Sequence, residues 1–168
     1  ITGTNDVPVI VTATNPASIA EIAGNSSAQD IATVNGTITI TDQDLGDTLT
    51  VSVTGDATAK YNGGALPNEN SVDVAALVAS GAVTFDALVS DGETQTIGWH
   101  YNPAAADLDW LRQGDTLTLT DVAQVDDGQG NVGAQNLGYT ITGNNAVPGV
   151  VKAAHPGSTA RDAGGGAA

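Results

Sequence analysis

The sequence contains no cysteine and no methionine among its 168 residues. Without cysteine, no disulfide framework can stabilise the fold. No run of about 18 apolar residues is present either, so we expect no membrane-spanning helix. The N-terminus lacks the charged and then apolar pattern of a secretory signal peptide, which fits a segment from the interior of a longer protein.

Basic residues are also scarce. Four Lys and Arg stand against 19 Asp and Glu, which gives a formal net charge of −15. Such a surface repels nucleic acid and anionic membranes, so we expect neither as a partner and no insertion into a membrane. Two explanations of the acidic residues remain open at this point: solubility, for example in a salty habitat, and the binding of cations.

Aromatic residues make up only 4% of the chain, and most of them are expected in the core. Trp99 and Tyr101 share one strand face by their spacing of two, and Tyr139 also lies in a strand pattern. Trp110 is expected to anchor a short helix onto the core. Tyr61, in a segment rich in Gly and Asn, is the one candidate for an exposed ring that could stack on a sugar.

Catalytic patterns are weak in this sequence. His100 lies between two aromatic residues on a predicted strand, and the second histidine is His155 near the C-terminus. No Ser, His and Asp combine into a credible nucleophilic set. We therefore expect no enzymatic activity.

An internal repeat organises the chain. Residues 1–8 return as residues 141–148, and half of the positions are identical when residues 1–28 are aligned with residues 141–168. A period of this length indicates a tandem array of globular domains rather than a solenoid. We expect an inter-repeat linker at residues 1–6 and one domain at residues 7–145, with adjacent repeats as partners and the single repeat a monomer.

Residues 146–168 would then be a truncated and degraded start of the next repeat. The tail loses key acids of the first copy, because Ala146 stands in the position of Asp6 and Arg161 in that of Glu21. Without partner strands the tail cannot bury its apolar side chains. We expect it to be disordered.

The composition favours an all-β fold, because Thr and Val favour strands while Gly, Asn and Asp favour turns. Alternating or apolar runs predict seven strands at spacings typical of hairpins: Val7–Ala13, Gly36–Thr41, Thr48–Val53, Val83–Leu88, Gln95–Tyr101, Thr116–Val125 and Gly138–Thr142. Seven such strands predict an antiparallel β-sandwich of the immunoglobulin-like or cadherin-like type.

One or two short helices interrupt this pattern. The Ala-rich segment Val72–Ser80 predicts a helix with Ser71 as its N-cap and Gly81 as its end. Ala104–Arg112 predicts one or two helical turns that end at Gly114. Residues 55–70, rich in Gly, Asn and Pro, predict an exposed loop.

Three predicted turns are dense in the oxygen ligands that Ca²⁺ prefers. The first is Asn5-Asp6, the second contains Asp42, Asp44 and Asp47, and the third begins with Asp126-Asp127. Each pattern alone is also ordinary turn chemistry, and none has the spacing of an EF-hand loop. If the three turns meet at one end of the sandwich, their carboxylates would repel strongly unless a divalent cation lay among them.

These motifs, in their order along the chain, resemble a known class of repeat. They are Asn-Asp-x-Pro at residues 5–8, Glu21, Thr-Asp-x-Asp-x-Gly-Asp at residues 41–47, Val-Asp-Asp-Gly-x-Gly-Asn at residues 125–131 and Ile-Thr-Gly-x-Asn at residues 141–145. The order is similar to cadherin-like repeats and, more closely, to the VCBS-type extender repeats of large bacterial RTX adhesins. In such families calcium lies at the joint between successive sandwiches and stiffens the array.

The resemblance implies a function and a set of ligands. Asn5 and Asp6 would share a calcium cluster at the N-terminal pole with Asp42, Asp44 and one of Asp126 and Asp127, and Asp47 is a further candidate. Glu21 would face the opposite pole and serve the next joint with Asn144 and Asn145. The protein would be an extender of an adhesin on the bacterial surface, exported by type I secretion, and it would hold a ligand-binding region away from the cell. The alternative is a repeat that itself binds a glycan, a surface or a protein.

Overall fold

The computed structural model describes residues 3–15, 18–22, 31–102, 106–130 and 132–144. Eleven strands are found in this part of the chain: β1 (Val9–Ala13), β2 (Ile19–Ala20), β3 (Val34–Thr41), β4 (Thr48–Val53), β5 (Thr58–Tyr61), β6 (Gly64–Ala65), β7 (Val83–Phe85), β8 (Leu88–Val89), β9 (Thr94–Tyr101), β10 (Thr116–Asp126) and β11 (Val132–Thr142). One α-helix, α1, covers Ser71–Val78, and 3-10 turns cover Asn68–Asn70 and Ser80–Ala82. None of the described helices is long and apolar enough to cross a membrane.

The strands form two sheets. The first has the order β1-β3-β9-β7 and is antiparallel throughout. The second has the order β2-β11-β10-β4-β8, and the hairpin β5-β6 joins it beside the first half of β10. Strand β2 runs parallel to β11 and is the exception to antiparallel pairing among the described strands. The predicted all-β, antiparallel, immunoglobulin-like sandwich is confirmed, since such sandwiches divide their strands between two sheets in this way.

The core lies between the two sheets and is filled from the inward-facing positions of the strands. Burial alternates along β10, as the period of two requires, with Leu117, Leu119, Ala123 and Val125 fully enclosed. The largest fully buried side chains are Trp99, Tyr101, Ile31, Ile38, Ile40, Leu77, Leu108, Leu111, Leu117, Leu119, Leu137 and Ile141. The predicted core positions of Trp99, Tyr101 and Tyr139 are therefore confirmed.

Most predicted strands are found within a few residues of their predicted ends, but one prediction merged two strands. Val83–Leu88 divides into β7, which pairs with β9, and β8, which pairs with β4. The chain changes sheets at Asp86, whose backbone N–H donates to the carbonyl of Gly98 at 3.0 Å while its side chain accepts from the N–H of Gly98 at 3.1 Å. An apolar run cannot show this change of sheet, because both halves have strand composition.

The prediction of a simple loop at residues 55–70 is wrong. The segment contains the hairpin β5-β6 and a 3-10 turn. Asn62 and Gly63 have φ angles of 46° and 76°, the left-handed values that a two-residue hairpin turn of type I′ requires. The Asn-Gly pair was the signal for this hairpin.

Both helix predictions need correction. Helix α1 begins at Ser71 itself, which is not the N-cap, and it ends at Val78, so Gly81 is not its end. No helix forms over residues 106–112; a single turn closes between the N–H of Leu111 and the carbonyl of Leu108. There the side chain of Asp107 accepts from the N–H of Asp109 at 2.9 Å, and such local bonds compete with helix formation.

Gly36 and Trp99 lie directly opposite each other on β3 and β9. A Cβ atom added at Gly36 would collide with the indole ring of Trp99. We predict that Gly36→Ala lowers the free energy of unfolding by about 1–3 kcal/mol, because the buried ring has to shift in a packed core. Urea denaturation measures this change.

Gly81→Ala is the matched control, since a Cβ atom there meets nothing within 4 Å and the backbone needs no positive φ. We expect the control to change the free energy of unfolding by less than about 1 kcal/mol. Equal destabilisation by both variants would contradict the packing of Trp99 over Gly36.

Candidate metal centre at the N-terminal pole

The N-terminal pole is the end of the sandwich where β3, β10 and the entering chain meet. The turn after β3 contains Asp42, Asp44 and Asp47, and the turn after β10 begins with Asp127. Glycines with positive φ angles allow these turns, at 95° for Gly46 and 78° for Gly128. An open cleft of about 350 Å³ lies among them, lined by Gly3, Thr4, Asn5, Asp44, Leu45, Asp47 and Gln129.

Hydrogen bonds attach the entering chain to both turns. The side-chain N–H of Asn5 donates to Asp127 Oδ2 at 2.7 Å. The backbone N–H of Asp6 donates to Asp44 Oδ2 at 2.6 Å. The three predicted turns thus lie at one pole, in contact through these residues.

Asp126 and Glu21 occupy different surroundings. Asp126 is the last residue of β10, and its side chain accepts from the N–H of Gly128 at 2.7 Å. Glu21 lies at the opposite pole, where β11 ends, and its Oε2 accepts from the N–H of Asn144 at 3.0 Å. Asn145, the other predicted neighbour of Glu21, and the tail at residues 146–168 lie outside the described residues.

A fourth turn, which the sequence reasoning missed, supports the same pole. Ser90 is buried, and its backbone bonds the turn after β3 on both sides: its N–H donates to the carbonyl of Asp47, and its carbonyl accepts from the N–H of Gly46, each at 2.8 Å. The Ser90 hydroxyl also donates to the carbonyl of Asp42 at 3.3 Å. The sequence Ser-Asp-Gly-Glu at residues 90–93 was a turn signal, and it brings Asp91 and Glu93 near the pole.

Asp42 differs from the other buried acids of the described residues. Asp121 accepts from the hydroxyl of Tyr139 at 2.8 Å, and Glu21 and Asp127 accept the bonds given above. Asp42 is only 3% exposed, and no described residue donates a hydrogen bond to either of its carboxylate oxygens. A buried, ionised carboxylate without a partner costs on the order of several kcal/mol.

Carboxylates repel one another across this pole. The pKa of Asp47 is raised, first by burial and then by the negative charges of Asp44, Asp42 and Asp127. The lowered pKa of Asp115, at the opposite pole, shows the contrast: there the hydroxyl of Tyr61 and the side chain of Asn62 donate to the carboxylate.

Within the described ranges, no three acidic or imidazole side chains already have the arrangement of a metal site. Ca²⁺ also takes amide and backbone carbonyl oxygens, which Asn5 and the glycine-rich turns can supply. A cation at this pole would pair with the unpartnered oxygens of Asp42. It would also reduce the repulsion between carboxylates that adds to the effect of burial in raising the pKa of Asp47. The donor set, all of oxygen, suits a hard divalent cation.

Two other candidate features have different roles. Tyr61 is not an exposed platform, because its ring packs against Trp110 with centroids 5.7 Å apart and its hydroxyl donates to Asp115 at 2.6 Å. His100 lies on the outer face of β9, where its ring contacts Asn35 Oδ1 at 2.8 Å and Asp86 Oδ1 at 3.2 Å.

No protein-family model and no curated protein matches this chain. Among solved structures, it is similar to the ASH/PapD-like domain 7 of human CEP192 (9% identity, TM-score 0.40, 88% of this chain and 92% of that one). It is also similar to the CooA pilin subunit of enterotoxigenic Escherichia coli (7% identity, TM-score 0.44, 83% and 99%). A third is a conjugative transposon lipoprotein from Bacteroides eggerthii (14% identity, TM-score 0.33, 79% and 93%). At these similarities the comparisons identify neither a family nor a function.

The raised pKa of Asp47 predicts a pH dependence without calcium. The folded chain holds the Asp47 proton more tightly than the unfolded chain, so stability falls as pH rises from the ordinary pKa of 3.8 through the raised value. We predict that Asp47→Asn removes this fall. In EDTA, the difference in the free energy of unfolding between the variant and the natural chain should grow in favour of the variant as pH rises from 3.8 to the raised pKa of Asp47. Above that pH the difference should stay constant.

Urea denaturation at a series of pH values between about 3.5 and 7 measures the difference. The control is Glu69→Gln, which removes one charge from the exposed 3-10 turn before α1. A profile for Asp47→Asn that stays parallel to that of the natural chain would contradict the repulsion.

Proposed function

We propose that this repeat is a calcium-stabilised structural extender of a bacterial cell-surface adhesin. The observation that supports the proposal best is the carboxylate of Asp42, buried and without a hydrogen-bond donor among the described residues. An acid in this state is destabilising unless a cation balances it. The neighbouring Asp44, Asp47 and Asp127 increase the need for positive charge.

Calcium would be held by residues of three chain segments. Asp42, Asp44 and Asp47 come from the turn after β3, Asp127 from the turn after β10, and Asn5 and Asp6 from the entering chain, with Asp126 as a further candidate. When bound, the ion supplies positive charge and links oxygens from separate loops. The residues already contribute the hydrogen bonds from Asn5 to Asp127 and from Asp6 to Asp44, so an ion would strengthen an existing connection.

The mechanical consequence follows from where these segments lie. Residues 5 and 6 connect one repeat to the next in the 140-residue period, and they bond directly to the turns of the domain that follows. Fixing them to those turns converts a flexible connection into a rigid one. A rigid joint repeated along an array holds a distant region at a fixed distance from its anchor.

The setting of this function rests on the resemblance of the motifs to extender repeats of RTX adhesins. By this resemblance, the array would lie outside the bacterial cell, where calcium is plentiful, after type I secretion. Low calcium inside the cell would leave the joints loose during export. The alternative, a repeat that itself binds a glycan, loses its main candidate residue because the ring of Tyr61 packs against Trp110.

Asp42→Asn tests the proposal, because it should act in opposite directions under two conditions. In EDTA the variant removes a buried carboxylate to which no described residue donates, so we expect it to melt at a higher temperature than the natural chain. With calcium, the variant lacks a charged ligand, so we expect its calcium affinity to fall by roughly tenfold or more. Isothermal titration calorimetry and thermal melts measure the two effects.

Glu69→Gln again serves as the control, because it removes the same charge away from the pole. It should leave calcium affinity and the calcium-dependent rise in melting temperature unchanged. The proposal is wrong if Asp42→Asn binds calcium as tightly as this control.

A further inference from the structure

The internal repeat lets one structure show both sides of a joint between repeats. Gly3 and Gly143 occupy the same repeat position, as do Thr4 and Asn144. Residues 3 and 4 appear at the N-terminal pole, and residues 143 and 144 appear at the opposite, C-terminal pole. In an array, one segment therefore belongs to two successive domains.

At the C-terminal pole this segment is firmly held. The N–H of Gly143 donates to the carbonyl of Asp115 at 2.9 Å, and its carbonyl accepts from the N–H of Gly114 at 3.1 Å. A Cβ atom at Gly143 would collide with the backbone carbonyl oxygens of Leu111 and Arg112. The N–H of Asn144 donates to the carboxylate of Glu21.

At the N-terminal pole the same position is open. A Cβ atom at Gly3 would meet nothing within 4 Å. The next residues are held by their own domain, Asn5 through Asp127 and Asp6 through Asp44. The glycine in the Ile-Thr-Gly motif is thus required where the segment ends a domain, and it has no visible role where the segment begins one.

Taken together, the contacts at the two poles leave no free residue between successive repeats. Among the described residues, the preceding domain holds the segment up to repeat position 4, as Asn144 shows, and the following domain holds it from Asn5 onward. Consecutive Cα atoms are about 3.8 Å apart, so the two poles must touch. A joint of this kind needs surfaces that fit each other.

In the described part of the chain, a large and exposed apolar side chain lies beside this segment at each pole. Leu45 is 79% exposed at the tip of the turn after β3, and it lines the cleft with Gly3, Thr4 and Asn5. Ile22 is 44% exposed at the C-terminal pole and directly follows Glu21, which holds Asn144. Both side chains therefore flank repeat position 4, from opposite sides of the joint.

We infer that Leu45 packs against Ile22 of the preceding copy of this repeat, in a direct interface with no free linker. The partner is thus a second copy of the same domain, joined in sequence. The inference rests on the tandem array of the proposed function but not on its calcium. It assigns residues 1–4 to the preceding domain, in the repeat positions that residues 141–144 occupy here: the last two residues of β11 and the two hydrogen-bonded residues that follow it.

A two-repeat chain, made of residues 1–140 followed by residues 1–168, tests the interface. Leu45→Asn in the second copy removes the apolar contact, whereas the same change in the first copy has no preceding repeat to affect. We expect the second-copy variant to lower the melting temperature by a few degrees relative to the first-copy variant. NMR residual dipolar couplings should also show greater freedom between the two domains.

The reciprocal pair strengthens the test. Ile22→Asn should matter in the first copy, which a second domain follows, and should be nearly silent in the second copy. Equal effects of a change in the two copies, in melting and in domain orientation, would overturn the inference.

The melts are run both in EDTA and in calcium. A difference between the copies that persists in EDTA supports the interface even if calcium proves to have no effect. A calcium response without a difference between the copies would leave the metal proposal standing and remove the Leu45–Ile22 contact.

Discussion

The carboxylate of Asp42 sets the constraint on which the N-terminal pole depends. It is buried where β3 leaves the sandwich, its oxygens receive no hydrogen bond from the described residues, and its negative charge acts on Asp47 together with those of Asp44 and Asp127. Ser90 supports the turn that contains Asp42, because it forms hydrogen bonds with the backbone of Asp42, Gly46 and Asp47. A positive charge at this pole would turn a destabilising arrangement into a stabilising one. We propose that this one imbalance is what would couple calcium binding to the stiffness of the array.

The two poles both contain acidic side chains, but they differ in the hydrogen-bond donors that those side chains receive. At the C-terminal pole the buried acid Glu21 accepts a backbone N–H from the departing chain, and Asp115 accepts from Tyr61 and Asn62, so both charges have donors. At the N-terminal pole, by contrast, the buried carboxylate of Asp42 accepts no hydrogen bond from a described residue. Placed end to end, the domains would bring a pole whose acids accept hydrogen bonds against a pole where the Asp42 carboxylate accepts none. No free linker residue would lie between the two poles. The stiffness of such an array would have two sources. The direct contact between domains needs no ion, whereas the cluster of carboxylates needs a cation.

The sequence predicted the sandwich because the period of two is a local property, and β4 and β10 appear almost where their alternation indicated. It predicted the helix near residue 72 but misplaced its ends. The hairpin of β5 and β6 was missed although Asn62-Gly63 signalled it, and the change of sheets at Asp86 had no local signal at all. For the site, turn composition identified Asp42, Asp44 and Asp127 at the pole but missed the turn that contains Asp91 and Glu93. Which of them is buried without a donor depends on how distant turns pack, so Asp42 could not be distinguished from Asp44 in advance. The role of Ser90 was hidden for the same reason.

A calcium-stabilised joint requires that calcium bind the folded domain, and a thermal melt of the natural chain measures this most directly. The chain is melted in EDTA, in millimolar calcium and in millimolar magnesium. Ca²⁺ is expected to act more strongly than Mg²⁺, because flexible turns suit its larger and less regular coordination. At 100 times the dissociation constant, binding to the native state alone adds about 2.7 kcal/mol per site, which raises the melting temperature by several degrees. We expect a rise that is specific to calcium; identical melting temperatures in calcium and in EDTA would contradict the proposed calcium site.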